Sequence, residues 1–151
     1  MRLLTGHSPA VAVWVASRIA GCEPMDFRPC EAAGVLDGEG RMLAGVVYHG
    51  FRRANRTIEM SVAADTPRWA TPGIIRDVLA YPFGQLGVLK AVAMVDPDDA
   101  RTVRFVTGLG FEREAVLRRH IAGRDVAIHS MFRETWLGRW NRGQEVGLRA
   151  A

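Results

Sequence analysis

The residues of this chain best placed to do chemistry fall in two short stretches, 57–63 and 68–73. In the first, Ile58, Met60 and Val62 alternate with Thr57, Glu59 and Ser61, the period-two pattern of a strand buried on one side. Glu59, on the polar side, is a candidate general base, a carboxylate that can take a proton from a reacting group within hydrogen-bond reach. The plainer reading is a solvent-facing strand residue paired with a neighbour such as Arg56. In the second stretch, Arg68-Trp69-Ala70-Thr71-Pro72-Gly73 runs into a segment of helical spacing. A tight loop that opens onto a helix N-terminus presents outward N–H groups and the positive end of the helix dipole, so it is a ready receptor for phosphate. Arg68, the Thr71 hydroxyl and the backbone of Trp69, Ala70 and Gly73 would hold the anion, while Pro72 withdraws one N–H donor. The plainer reading is that Thr71-Pro72 is a good helix start.

Candidates for a general acid are fewer. Ser61 and Tyr81 carry hydroxyls, although Tyr81, within Ala80-Tyr81-Pro82-Phe83, also reads as a half-buried packing residue. His49, His120 and His129 fall at or within strands and read as structural or exposed. Trp14, Trp136 and Trp140 read as core or interface anchors, and Trp69, by virtue of its loop, as the one that could stack on a ligand. Cys22 and Cys30 are the only thiols, too few for a disulfide scaffold and without the clustered Cys/His spacing of a zinc site, so reduced cysteines and no metal are expected.

These groups must be positioned by the elements around them. Pro9 after Ser8 suits a first-turn proline behind an N-cap, giving a helix over 9–20 with Gly21 as its stop. Segments 32–36 and 41–49 read as a hairpin about Asp37-Gly38-Glu39-Gly40, followed by a strand over 56–63. Ile74, Ile75, Val78, Leu79 and Phe83 have helical spacing over 72–86, with Thr71 as cap and Pro82 loosening the last turn. Segment 88–95 is a nearly unbroken apolar strand, and a helix over 100–109 closes at Gly110. Strands over 111–121 and 125–133 flank the turn Ala122-Gly123-Arg124. One domain over 1–137 is expected, with a polar, glycine-bearing and mobile tail over 138–151.

Composition narrows the classes. The 151 residues carry 20 Lys and Arg against 16 Asp and Glu, a net charge of +4, with the cations spread along the chain. Without a long basic stretch or interleaved aromatics, nucleic acid is not the expected partner, and the charge serves solubility or attraction of an anionic cofactor. The longest apolar run, 10–16, falls short of the roughly 20 residues that cross a bilayer, so no membrane role is expected. Thr5-Gly6-His7-Ser8-Pro9 ahead of it reads as a turn and cap rather than a signal peptide, which points to a cytoplasmic protein.

The element order and one late motif carry a resemblance. Asp96-Pro97-Asp98-Asp99 leads into a helix containing Arg104-Phe105, then Leu109-Gly110-Phe111 and Arg113-Glu114-Ala115-Val116-Leu117-Arg118. This is similar to the stretch of the GNAT superfamily of acyl-CoA-dependent N-acetyltransferases that carries Asn, a helix, Leu-Gly-Phe, and Arg-Glu-Gly before Leu-Arg. The chain departs from it at Asp99, where the family has Asn, and at Ala115, where it has Gly. An ionised Asp only accepts hydrogen bonds, so a contact the Asn makes as donor is lost. The resemblance covers 32–132 and is closest to the subtype that acetylates protein N-termini and to GNAT-like proteins of bacteriophages and prophages.

It implies an α/β (α+β) fold, a single domain whose central mixed, mostly antiparallel sheet is flanked by helices. It further implies acetyl-CoA as co-substrate, its pyrophosphate at 68–73, its pantetheine arm along the backbone of the strand Met60 to Ala63, with Met60 and Val62 among its contacts, and further contacts from Asp99 and Arg104. The family loop has a glycine that this chain lacks. Glu59 matches a glutamate that several relatives use as base, directly or through water. The tyrosine that many place seven residues beyond the Asn is here Val106, so the usual acid is absent and Ser61, Tyr81 or a water must substitute. The expected acceptor is an amine of a small molecule, peptide or protein. The alternative is a non-catalytic module of the same fold, phage-encoded and bound to a phage-particle partner. Exposure of Trp136 or Trp140 would point to a homo-oligomer.

Overall fold

The computed structural model describes residues 1–141, so the tail expected beyond that point lies outside the described residues. The chain opens with a short strand, β1 (Arg2–Leu4), and a helix, α1 (Ser8–Ala16). After a single 3-10 turn at Pro24–Phe27 come β2 (Cys30–Leu36), β3 (Met42–Arg52) and β4 (Thr57–Ala64). A second 3-10 turn (Pro67–Trp69) leads into α2 (Pro72–Ala80), which widens into a π-helical turn over Tyr81–Gln85. Then follow β5 (Lys90–Val95), α3 (Ala100–Leu109), β6 (Glu112–Ile121), β7 (Arg124–Phe132) and α4 (Arg133–Arg139).

The strands form one seven-stranded sheet in the order β1-β2-β3-β4-β5-β7-β6. Every pairing is antiparallel except β4 with β5, and that parallel pair is short: Thr57, Ile58 and Glu59 face Lys90, Ala91 and Val92, and there it ends. Beyond Glu59 and Val92 the two strands part, β4 still paired to β3 and β5 to β7. The expected mixed, mostly antiparallel sheet flanked by helices is therefore present.

Its two faces are buried differently. On one, Val11, Val15 and Phe27 pack on Ala32, Val47 and Ala63. On the other, Ile74, Ile75, Val78 and Leu79 of α2, Val106 of α3 and Trp136 of α4 cover Val35, Val46, Ile58, Met60, Ala91 and Met131. The alternation read along β4 holds, with Ile58 and Met60 buried under α2. Val62, on the same face but beyond the parting of the strands, is 39% exposed. Gly45 lets α1 approach: a Cβ there would lie 2.6 Å from Val15 Cγ2.

Several local expectations are corrected. α1 ends at Ala16, not near residue 20, and Ser8 does not cap it. The Ser8 hydroxyl instead donates to Glu31 and accepts from the Ala32 N–H, each at 2.9 Å. The strand β1 and the helix α4 were not foreseen, and Gly138 to Asn141 belong to α4 and the turn that ends it. Trp136 is 3% exposed and stacks on Phe83 with centroids 5.4 Å apart, and the half-buried Trp140 donates from Nε1 to the Leu109 carbonyl at 2.9 Å. Neither offers the exposed indole that would have pointed to an oligomer.

Candidate functional site

Glu59 is the last β4 residue paired to β5 and stands opposite His49 of β3. Cross-strand partners place their side chains on the same face within contact distance, and His49 Nδ1 lies 3.2 Å from Glu59 Oε2. The other ring nitrogen, Nε2, is 2.9 Å from Ser61 Oγ. Three groups are thus chained, carboxylate to imidazole to hydroxyl, on the α1 face where the sheet opens. The expected Arg56 partner is elsewhere: its guanidinium donates to the Gly87 carbonyl at 2.9 and 2.7 Å.

The imidazole and the carboxylate each have a close neighbour. Phe27 packs against the imidazole at 5.0 Å between centroids. Gly50, with φ +59, follows it, and a Cβ there would come within 3.1 Å of Glu59 Oε2, so backbone and carboxylate both favour glycine. The hydrogen bond to His49 holds the Glu59 carboxyl below the usual carboxylate range against the opposing effect of burial, and the charges of Arg52 and His120 act with it. His120 belongs to β6, whose hairpin with β7 arches over this face. Its tip rests on the segment after α1, where a Cβ on Gly21 would be 3.5 Å from Ala122 Cβ.

A cavity of about 480 Å³ opens at this end of the sheet, with Phe27, His49 and Glu59 on one side and Tyr48, Tyr81 and Leu86 on the other. A neighbouring cavity of about 320 Å³ shares Tyr48 and Tyr81 and adds Asp77. Tyr48 is fixed by donating to the Val78 carbonyl at 2.7 Å, and burial pushes its phenol well above the ordinary range. Tyr81 packs on it at 4.8 Å and remains half-buried, its phenol also raised, by burial first and by nearby Glu31 second. Of the acid candidates, Tyr81 therefore shares the cavity with Glu59, and Ser61 reaches Glu59 through His49.

The main chain of β4 supplies a second feature. Asp65 N–H donates to the Leu43 carbonyl at 2.9 Å, which makes that pair a hydrogen-bonded one. In an antiparallel ladder such pairs alternate, so 63 with 45, 61 with 47 and 59 with 49 also exchange bonds. Met60, Val62 and Ala64 therefore turn their N–H and C=O groups away from β3, into the opening between β4 and β5. This is the backbone that the sequence reading assigned to the cofactor arm.

The loop 68–73 lies at the other end of α2, a nine-residue helix of about 14 Å at 1.5 Å per residue. Thr71 caps it as expected, its hydroxyl oxygen accepting from Ile74 N–H at 3.3 Å. Most of the loop's other amides are also engaged: Arg68 N–H with Thr66 Oγ1, Ala70 N–H with the Pro67 carbonyl, and Thr71 N–H with the Trp69 carbonyl. Arg68, Pro72 and Gly73 are exposed, and Gly73 faces open space. Trp69 is not free to stack on a ligand: it is 4% exposed and packs edge-on against Phe105 of α3 at 5.9 Å.

Asp99 caps α3, accepting from Thr102 N–H at 3.1 Å and Thr102 Oγ1 at 2.6 Å, contacts that keep its carboxyl low. Arg104 is exposed on the same helix, and Val106, at the site of the missing tyrosine, is buried. Among the described residues no group of three or more His, Cys, Asp or Glu is placed to hold a metal ion, and no helix is long and apolar enough to cross a membrane.

Sequence reasoning named His49 but read it as structural or exposed and did not pair it with Glu59. Its place opposite Glu59 depends on a bulge: Arg52 pairs with Thr57 at the turn, and the shift between Arg52 and His49 brings His49 into register with Glu59.

No sequence-family profile matches the chain, and no curated protein does. Solved structures do. A variant of the spermidine N-acetyltransferase SpeG from Vibrio cholerae superposes with a TM-score of 0.74 at 14% identity, covering 92% of this chain and 99% of that one. Mutant forms of the spermidine/spermine N-acetyltransferase SpeG from the same organism give 0.72 at 16%, over 95% and 99%. A dodecameric structure of that spermidine N-acetyltransferase gives 0.63 at 20%, over 80% and 72%. The chain therefore shares its mixed α/β fold with these solved N-acetyltransferase structures, the fold class that the resemblance implied.

Proposed function

We propose that the chain is an acetyl-CoA-dependent N-acetyltransferase that moves an acetyl group to a primary amine within a ternary complex. The observation that carries this reading is the coincidence, at one point of the sheet, of the β4/β5 opening with the Glu59–His49 pair. The unpaired N–H and C=O groups of Met60, Val62 and Ala64 offer the pantetheine amides a strand edge to complete. Arg68 and the exposed N-terminal turn of α2 receive the pyrophosphate, and Arg104 stands on the neighbouring helix.

An amine must be neutral to attack. The carboxylate of Glu59, ionised well into the acid range, takes the proton through His49 or a water. Tyr81 is the candidate that returns a proton to the leaving thiolate from the cavity wall. The acceptor is a small-molecule or peptide amine that enters the 480 Å³ cavity, and the spermidine acetyltransferases among the structural neighbours support a small amine. The 1–137 unit would act as one domain.

One observation favours the non-catalytic alternative, a partner-binding module that could be phage-encoded. Arg68, Ala70, Thr71 and Ile74 spend their N–H groups inside the loop, leaving few for a pyrophosphate. Calorimetric titration with acetyl-CoA separates the two. Micromolar binding that is lost in Arg68→Glu is the expected result; absence of binding to the unmodified protein would leave only the module.

A further inference from the structure

We propose that Ser61, His49 and Glu59 form a nucleophilic triad that gives the protein a second activity, amine-independent hydrolysis of the acyl thioester through an acyl-Ser61 intermediate. The proposal rests on the reading of an acyl-CoA donor, and uses a group which direct transfer to an amine does not need.

The geometry is that of an activated hydroxyl. A carboxylate at 3.2 Å from Nδ1 selects the tautomer that carries its proton there, which leaves Nε2, 2.9 Å from Ser61 Oγ, as acceptor for the hydroxyl proton. Phe27 packs against the ring, and Gly50, lacking a Cβ, leaves the Glu59 carboxylate the room it occupies beside Nδ1. Ser61 is the second β4 residue beyond the end of the parallel pairing, so its Cα stands at the opening itself. Its neighbours in sequence, Met60 and Val62, turn their N–H groups into that opening. An amide directly after a nucleophilic serine is a donor to the oxyanion that develops when the serine attacks a carbonyl.

The step balances without a further reagent. Ser61 Oγ bonds to the thioester carbonyl carbon while its proton passes to His49 Nε2, and the imidazolium is stabilised by Glu59. The C–S bond then breaks, and the sulfur leaves as the CoA thiol with the proton from His49. In the second half water bonds to the ester carbonyl, gives its proton to His49, and the Ser61–acyl bond breaks to regenerate the hydroxyl and release acetate. An amine in place of water would give the amide.

The test uses the full chain and two acyl donors in the absence of any amine. Acetyl-CoA is followed by thiol release, and p-nitrophenyl acetate, an activated ester that needs no CoA site, by nitrophenolate release. Each reaction is quenched, digested and mapped by mass spectrometry. The expected result is an acetyl group on the Ser61 peptide from both donors, turnover lost in Ser61→Ala, and a drop of roughly a hundredfold or more in His49→Ala. Melting curves of both variants, and acetyl-CoA affinity of Ser61→Ala near that of the unmodified protein, separate loss of chemistry from loss of fold. Binding of acetyl-CoA with no acetyl on Ser61, or acetyl on another residue, overturns the triad and leaves the transferase reading intact. Acetylation of Ser61 by the activated ester with no binding of acetyl-CoA overturns the donor reading and keeps the triad. Neither acetylation nor binding overturns both.

Discussion

The two ends of α2 are built in opposite ways. At its N-terminus, the loop 68–73 turns its polar groups on itself: Thr71 caps the helix, the amides of Arg68, Ala70 and Thr71 close short internal bonds, and Trp69 is sunk against Phe105. At its C-terminus, Tyr81 faces a cavity across which Glu59 and His49 form a pair that remains half open to solvent. The first region spends its hydrogen bonds on holding shape, and the second keeps proton-carrying groups within reach of a ligand. Under the proposed function, stability and chemistry are separated along one helix, and substitution of the buried Trp69 and of Glu59 should report on different quantities.

The largest effect is expected at the open end. Glu59→Gln keeps shape and loses the charge that partners His49, so turnover should fall by roughly 10² to 10⁴-fold, the contribution of a positioned general base, with acetyl-CoA affinity little changed. Equal turnover in the variant, measured by steady-state kinetics, would remove Glu59 from the mechanism. For the buried residue of the closed end, unlike the exposed Arg68, the loss should be of fold rather than rate. Trp69→Ala deletes a buried indole and should cost about 3–5 kcal/mol in denaturant unfolding. A change of less than about 1 kcal/mol would mean that the indole is not core and that the contrast drawn here is wrong.

Gly50→Ala sharpens the comparison from the open side. It places a methyl group 3.1 Å from Glu59 Oε2 at a residue with positive φ. A backbone cost of about 1–2 kcal/mol should accompany a drop in turnover that a shift of the carboxylate alone would produce. Structure determination of the variant would show whether the Glu59–His49 contact has lengthened.

The smallest effect concerns His129, 1% exposed, its Nδ1 without a hydrogen-bond partner. Burial, aided by the charge of Arg113, holds this imidazole below its ordinary value. Its folded-state pKa is the lower one, so between the two values the unfolded chain binds more protons. Stability is then full above about 6.5, the unfolded value, and declines as pH falls below it. Melting temperature should drop more steeply from pH 7 to pH 5 in the native sequence than in His129→Leu; parallel curves would show that His129 does not set the acid limb.

How much of this was legible follows from the range of each interaction. The central elements were readable because their signals are local: the alternation of β4, the Thr71 cap and the helical spacing after it, and Gly110, whose φ of +112 ends α3 where expected. The strand β1 is three residues long and exists because β2 offers it an edge, so no local pattern announces it. α4 is fixed by Trp136 stacking on Phe83, a contact between residues far apart in sequence. At the site, Glu59 could be picked from its strand face, whereas its partner depends on the register of the β3/β4 hairpin, which a bulge between His49 and Arg52 complicates. Trp69 was misjudged because its burial is decided by Phe105 on α3, about which the loop sequence says nothing.

The shortness of the β4/β5 pairing has a consequence for the solvent. With three residues joining them, the strands form two plates hinged along a narrow seam, and the inner rims beyond it carry main-chain groups that only water can satisfy in the unliganded protein. Amide deuteration should therefore be fast at Met60 and Val62 and slow at Ser61, one residue apart on the same strand. A ligand that slows the first two has displaced that water and become, for the length of its own amides, an additional strand.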